Sequence, residues 1–118
     1  DTFGHVNNAA YFELFEEARW EILTKGGYGL LEVQKRRQGP VVLEASLKFK
    51  KELKLREEII IRSEIYPYEG KIGRMVQKMI KPNGDIACEG SYVFGFFDLD
   101  ARKLIPPSAD WLKALGLA

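Results

Sequence analysis

The sequence predicts an α+β domain in which an antiparallel sheet wraps around one helix. Two observations predict this architecture: a helical pattern near the start of the chain precedes four strand patterns, and short turns join successive strands. The chain has 118 residues, which is enough for one hydrophobic core. We therefore expect a single domain over residues 1–118.

A helix is predicted over residues 8–25 because apolar residues recur there at steps of three and four. The glutamates lie mostly on the opposite face, several of them in the first half, where they complement the helix dipole. Gly26-Gly27 supply the stop. The predicted apolar face consists of Tyr11, Phe12, Phe15, Ala18, Ile22 and Leu23. Residues 28–40 lack clear periodicity and are predicted to form a loop that could include one helical turn.

Strands are predicted over residues 41–51, 57–66, 71–81 and 86–98. The first alternates apolar and polar side chains and is expected to be half-buried, while the last carries aromatic residues and is covered on both faces over part of its length. Asn83-Gly84 predicts a tight hairpin because this pair readily adopts positive φ. A short helix over residues 109–115 is expected to follow, with Ser108 as its cap.

Composition excludes several classes of protein. No apolar run approaches the roughly 20 residues of a membrane span, so no membrane span is expected. Eighteen basic and seventeen acidic residues give a net charge of +1, which provides no general attraction to nucleic acid. Cys88 is the one cysteine, which excludes an internal disulfide and suits a cytoplasmic location. Cys88 is expected to be a buried apolar side chain, and a single histidine makes a metal site improbable.

The first eleven residues, DTFGHVNNAAY, concentrate polar side chains directly before the predicted helix. In a structural interpretation, Asn7 or Asn8 caps the helix and Gly4 permits a turn. In a functional one, the free N–H groups of the helix start stabilise an oxygen that becomes negative, while Asp1 and His5 supply proton transfer or nucleophilic attack. Both interpretations stay open, because a capped helix still has spare donors.

The run D-x-x-G-H-V-N-N-A-x-Y, followed by F-E-E-A-R, resembles the opening motif of the hotdog-fold acyl-CoA thioesterases of the 4-hydroxybenzoyl-CoA thioesterase type. The similarity continues through V-V-L-E-A-S-L-K-F, P-N-G-D-I-A-C-E-G and F-D-L-D-A-R-K-L-I-P-P, and so covers essentially the whole chain. It implies the hotdog fold, in which a curved antiparallel sheet encloses a central helix. Family members usually carry a strand before the aspartate, so we expect that this N-terminal strand is missing here.

The resemblance implies hydrolysis of an acyl-CoA thioester without a cofactor. Asp1 then takes the position of the catalytic carboxylate, acting either as a general base on water or as a nucleophile that forms a transient anhydride. The backbone N–H at Asn8 would polarise the thioester carbonyl. His5 would either orient the loop through a hydrogen bond or act directly as an acid or base. The residues expected to shape the substrate site are Gly4, Val6 and Tyr11.

Two alternatives to an acyl-CoA thioesterase stay open. Thioesterases that act on acyl carrier protein have asparagine where Phe3 stands, and a further catalytic glutamate for which Glu52 or Glu44 would be the candidate. A non-catalytic hotdog dimer that binds an acyl ligand would not require the pair Asp1 and His5. Because sites in this family form between subunits, we expect a homodimer or homotetramer. Candidate cations for the phosphates of CoA are Arg56, Arg62, Lys71 and Arg74.

Overall fold

The structure, a computed structural model, describes residues 8–54 and 56–118. This part of the chain forms three helices and five strands. In chain order they are α1 (Asn8–Lys25), α2 (Leu30–Arg36), β1 (Gln38–Phe49), β2 (Ile60–Glu69), β3 (Ile72–Ile80), β4 (Ile86–Asp98), β5 (Lys103–Ile105) and α3 (Ala109–Ala114).

The strands form one antiparallel sheet with the order β1-β4-β3-β2, and β5 pairs with the end of β4. Neighbouring strands place Met75 beside Tyr92, and Met79 beside Cys88. All four side chains are buried, and all except Met75 cluster with Phe15 of α1, so they mark the inner face of the sheet, on which α1 packs. The prediction of an antiparallel sheet around a helix, and hence the α+β class, is confirmed.

Two clusters of buried residues lie between the helices and the inner face. The cluster near the start of α1 contains Tyr11, Phe15, Leu53, Met79, Ala87, Cys88 and Tyr92. The other lies near the end of α1 and includes Trp111 of α3, which stacks on Phe96 with ring centroids 5.0 Å apart. The indole Nε1 of Trp111 donates a hydrogen bond of 2.7 Å to the Tyr68 hydroxyl. This bond holds α3 against the sheet.

Several predicted elements differ from the structure. Residues 30–36 form the seven-residue helix α2, where a loop that could include one helical turn was predicted. An ion pair of 2.7 Å from Arg36 to Asp110 links α2 to α3. β2 continues through Pro67, where a connection was predicted; β2 pairs only with β3 among the described strands, and at such an edge proline need not break a ladder bond. β5 was not predicted. The first turn of α1 contains no acidic residue, and Phe12, expected on the apolar face, is 47% exposed.

The strand β1 departs from its predicted half-burial. Val42 and Leu43 are 44% and 43% exposed, and Phe49 is 51% exposed. Between them, residues 44–46 are also exposed. Because β1 pairs only with β4 in the described chain, its apolar side chains lack the cover that the alternation in sequence led us to expect.

Candidate active site

The helix α1 occupies Asn8–Lys25, and Asn8 is also the first residue that the structure describes. The first N–H groups of a helix have no acceptor within it, so they can bind an oxygen that carries negative charge. Asn8 itself is exposed. The predicted site residues Asp1, Gly4, His5 and Val6 lie outside the described residues, and their roles stay predictions.

Tyr11 lies one turn further along α1 and points into the core. Its ring meets Phe49 edge to face, with centroids 5.0 Å apart. Burial raises the pKa of its hydroxyl, and the nearby Cys88 and Glu52 add to the rise, while a hydrogen bond from the Leu53 backbone acts in the opposite direction. Tyr11 therefore stays protonated at neutral pH and serves to pack the start of α1 against the end of β1.

Two glutamates lie near this first turn of α1. Glu52 and Glu57 are both close enough to Tyr11 to contribute to the rise in its pKa. Lys81 connects them, donating to the Glu52 carbonyl oxygen at 2.8 Å and pairing with the Glu57 carboxylate at 3.1 Å. A hydrogen bond from the Lys54 backbone lowers the pKa of Glu57, and Lys81 lowers it further. The sequence did not single out Glu57.

The second candidate glutamate, Glu44, lies elsewhere. It pairs with Val93 in the register of β1 and β4, whereas the next pair, Ala45 and Tyr92, belongs to the inner face. Glu44 is therefore on the outer face, away from α1. The same alternation places Arg62 and Arg74 on the outer face, so neither lies beside the helix start.

A buried polar network lies halfway along α1. Gln77 is fully buried on β3, and its amide nitrogen donates to the Phe15 carbonyl at 3.2 Å and to the Ser63 hydroxyl at 3.0 Å. Its oxygen accepts a hydrogen bond of 2.9 Å from Arg19. The sequence contains one signal for this network, because Gln77 interrupts the row of apolar side chains that β3 directs inward.

Arg19 also stacks on Tyr92, with its guanidinium carbon 4.4 Å from the ring centroid. The Tyr92 hydroxyl is buried, and nothing in the described part of the chain reaches it with the geometry of a hydrogen bond. Burial raises the pKa of this hydroxyl, and the charge of the neighbouring Arg19 offsets part of the rise. The ring of Tyr92 lies over Gly90, and only glycine leaves room for it there, because a Cβ atom at this position would lie 2.6 Å from the Tyr92 hydroxyl oxygen.

Beyond this network, a mostly apolar cavity of about 160 Å³ lies between α1, the inner face of the sheet and α3. We call it the inner cavity. Arg19 and Glu16 line it on the helix side, and Val42 lines it at the exposed edge of the sheet. Its other walls include Ile22, Leu23, Met75, Phe94, Trp111 and Leu115.

The structure also describes the environment of the one cysteine. Cys88 is fully buried, and burial raises the pKa of its thiol to about 11, so it is a packing residue rather than a nucleophile. Over residues 8–54 and 56–118, no group of three or more acidic, histidine or cysteine side chains could hold a metal ion. None of the helices in that part of the chain is long and apolar enough to cross a membrane.

The sequence pattern of a known family matches residues 1–115. The chain belongs to the thioesterase-like superfamily. It is 27% identical over 106 residues to the long-chain acyl-CoA thioesterase FadM of Escherichia coli K12, a similarity that covers 89% of this chain and 80% of that relative.

Solved structures agree in fold. YbaW of Escherichia coli, described as a probable thioesterase, is 25% identical with a TM-score of 0.84, over 99% of this chain and 88% of YbaW. SAV2348 of Staphylococcus aureus, solved in complex with CoA, is 18% identical with a TM-score of 0.87, over 96% and 72% of the two chains. At this lower identity the likeness shows the fold alone. The expectation of a thioesterase-type enzyme with the hotdog fold is confirmed.

Proposed function

We propose that this protein is an acyl-CoA thioesterase that hydrolyses an acyl thioester to a free acid and CoA. The observation that carries the proposal is the match of residues 1–115 to the thioesterase-like superfamily, and it is supported by the helix Asn8–Lys25 that follows Asp1. Its relatedness to FadM supports an acyl-CoA substrate. A cytoplasmic location stays a prediction, supported by the single buried cysteine.

Two routes can use this arrangement. In the first, Asp1 takes a proton from water, the water oxygen bonds to the thioester carbon, and the C–S bond breaks as the CoA sulfur takes up the proton. In the second, the Asp1 carboxylate bonds to that carbon, the thiolate leaves, and water hydrolyses the anhydride. Both routes develop negative charge on the carbonyl oxygen, which the free N–H groups near Asn8 would stabilise. Neither route needs a cofactor.

The proposal is tested by measuring release of free thiol from a panel of acyl-CoA and acyl-carrier-protein thioesters by the full-length protein. Asp1→Asn should lower kcat by roughly 10²- to 10⁴-fold, the usual contribution of a positioned acid or base. Asp85→Asn, in the hairpin turn, is the matched control and should leave kcat unchanged. Faster cleavage of the carrier-protein esters would favour the alternative substrate, and no cleavage of any ester would favour an acyl-binding protein.

We further propose that the protein acts as a homodimer, joined along β1, or as a homotetramer of such dimers. Positions 42–46 of β1 are exposed on both faces, whereas the inward positions of β2 are partly covered. A two-fold antiparallel pairing centred on Ser46 would place Glu44 opposite the partner's Lys48. The same pairing would place Ala45 opposite the partner's Leu47. This register pairs residues of opposite charge with each other and apolar residues with each other.

Charge reversal tests this interface. Lys48→Glu would replace two attractive pairs by two repulsive ones, which at up to 1 kcal/mol per pair should weaken the dimer by about 1.5 kcal/mol, or roughly tenfold in Kd. Adding Glu44→Lys to this variant should restore the affinity of the dimer. Light scattering over a dilution series measures the association. A stable monomer, or a double variant no tighter than the single one, would exclude this register.

A further inference from the structure

We infer that Lys81 is a positioning residue for the first turn of α1. Its side chain holds the segment that follows β1, and through Leu53 and Tyr11 that segment holds the helix. The inference rests on the proposed function, in which N–H groups of this turn stabilise the carbonyl oxygen. Lys81 acts through other residues of its own chain and is assigned no contact with the substrate. The side chains involved all belong to the described part of the chain.

Lys81 joins two parts of the connection between β1 and β2. Its ammonium nitrogen donates to the Glu52 carbonyl oxygen at 2.8 Å and lies 3.1 Å from one carboxylate oxygen of Glu57. The other oxygen of that carboxylate accepts a hydrogen bond of 3.3 Å from the Lys54 N–H. We call this arrangement of Lys81, Glu57 and the Glu52 carbonyl the Lys81 bridge. It ties the connection together at two points, which cannot separate without breaking hydrogen bonds to a charged group.

The Lys81 bridge differs from the other lysine–glutamate pairs of residues 8–54 and 56–118. It is the shortest of them, and its lysine side chain, 21% exposed, is the least exposed. Ion pairs between exposed side chains contribute little, because water screens the charges and holding two long side chains in place costs entropy. A shielded pair that also binds backbone groups instead holds a defined geometry. Lys81 is therefore suited to fix the position of a chain segment.

The backbone of Lys81 gives the bridge a fixed base. Its N–H donates to the Asp85 carbonyl at 2.8 Å, so Lys81 is held by the hairpin turn that joins β3 and β4. Before Leu53 along the chain, the N–H of Lys50 donates to the Ala87 carbonyl of β4, also at 2.8 Å. The segment is thus attached to the sheet on both sides of Leu53, by β4 before it and by the Lys81 bridge around it.

Leu53 transmits this restraint to α1. Its side chain is 2% exposed and belongs to the same buried cluster as Tyr11, and its backbone lies beside the Tyr11 hydroxyl. Tyr11 lies in the first described turn of α1 and is itself buried. Side chains in a close-packed interior pass on small displacements, because little free space is left to absorb them. The first turn of α1 therefore keeps its place only while Leu53 keeps its own.

The position of this turn matters because N–H groups stabilise a developing negative charge only when they point at it. Removal of one such donor from an enzyme typically lowers kcat by roughly 10²- to 10³-fold, and a displacement of about 1 Å can cost about 10²-fold. Without the Lys81 bridge, Lys50 still attaches the segment on one side, so we expect a smaller loss of about tenfold in kcat. KM should change little, because the contact strengthens only in the transition state.

Substitution of Lys81, with a matched control, tests the inference. The assays use the acyl-CoA ester that the unmodified protein cleaves fastest, well below the Tm of every variant. Lys81→Met keeps the apolar stem of the side chain and removes the ammonium group; it should lower kcat about tenfold and change KM less than about twofold. Lys78→Met removes a lysine–glutamate pair of 3.8 Å from the outer face of the same strand and should change neither. Lys81→Arg keeps the cation and should retain at least about half of kcat.

Amide hydrogen exchange tests the positioning without relying on catalysis. The N–H groups of residues 12–14 close the first described turn of α1. In Lys81→Met they should exchange at least about tenfold faster than in the unmodified protein, whereas those of residues 20–24, near the end of the helix, should exchange at the same rate. A substitution that only lowered the overall stability would raise exchange along the whole helix. Faster exchange throughout α1 would therefore overturn the inference.

Glu57→Gln is a milder second variant, which keeps the test open if Lys81→Met does not fold. It should lower kcat about threefold, and the double variant should lose no more than Lys81→Met alone, because both substitutions break the same bridge. Unchanged kcat in Lys81→Met, unchanged exchange at residues 12–14, or an equal loss of kcat in Lys78→Met would overturn the inference. Failure of the proposed function is distinguishable, because the unmodified protein would then cleave no thioester. The exchange rates alone would then decide whether Lys81 holds the first turn.

Discussion

The buried network around Gln77 offers a direct test of what holds α1 to the sheet. Gln77→Met keeps the volume of the side chain and removes its amide, so the guanidinium of Arg19 loses the acceptor that lies 2.9 Å away. Loss of a hydrogen bond to a charged group costs about 1.5–3 kcal/mol, and two neutral bonds are lost as well. We expect the free energy of unfolding to fall by about 3 kcal/mol, and Tm by roughly 12 °C.

The coupling between the two side chains is more informative than either single value. Arg19→Met alone leaves the buried Gln77 oxygen without its donor, whereas in the double variant neither polar group is left without a partner. The double variant should therefore lose about 1.5 kcal/mol less free energy of unfolding than the two single variants lose in sum. Urea unfolding at one fixed protein concentration measures the free energy of unfolding of all three variants. Gln34→Met, on the exposed surface of α2, is the control. Costs that add to within about 0.5 kcal/mol would refute the network as a unit.

Three further predictions concern stability. Ser108→Ala removes the side chain that accepts from the Trp111 N–H at the start of α3, and should cost about 1 kcal/mol in thermal unfolding. Gly26→Ala would place a Cβ atom 2.5 Å from the Ala114 carbonyl oxygen, so we expect the free energy of unfolding to fall by about 1–3 kcal/mol. The packing of α3 should also weaken, which would make the fluorescence of Trp111 easier to quench from solution. A hydrogen bond from the Ala101 backbone and one from the Gln38 side chain lower the pKa of Asp98. The stabilising effect of its carboxylate is therefore complete above the usual aspartate pKa of about 4 and is lost as the pH falls through the lowered pKa. Asp98→Asn should be less stable than the unmodified protein at pH 7, and that difference should disappear near pH 2.

The sequence predicted those parts of the fold that depend on local pattern. β4 was predicted at residues 86–98, where it lies, because the Asn83-Gly84 turn and the aromatic alternation mark it unambiguously. β5 was missed because three residues carry too little pattern. The exposure of β1 was also missed, since alternation predicts which side chains share a face but not whether another element covers that face.

For the candidate site, too, local pattern predicted some features and missed others. The apolar spacing predicted a helix through residues 8–25 with Tyr11 on its buried face, and the structure bears out both. The network of Arg19 and Gln77 joins residues 58 positions apart, and no local pattern reveals such a partner. The inner cavity is likewise a property of five elements together, so it has no signature in the sequence.

The exposed edge of β1 affects how readily the newly made chain aggregates. A free strand with apolar side chains on its surface can pair with any other free strand, which makes it a template for aggregation. If the proposed dimer forms, a newly made subunit carries this hazard until a second copy covers the edge. Rapid pairing would thus protect the protein from precipitation in the cell, and variants that weaken the pairing should lower its soluble yield before they lower its activity.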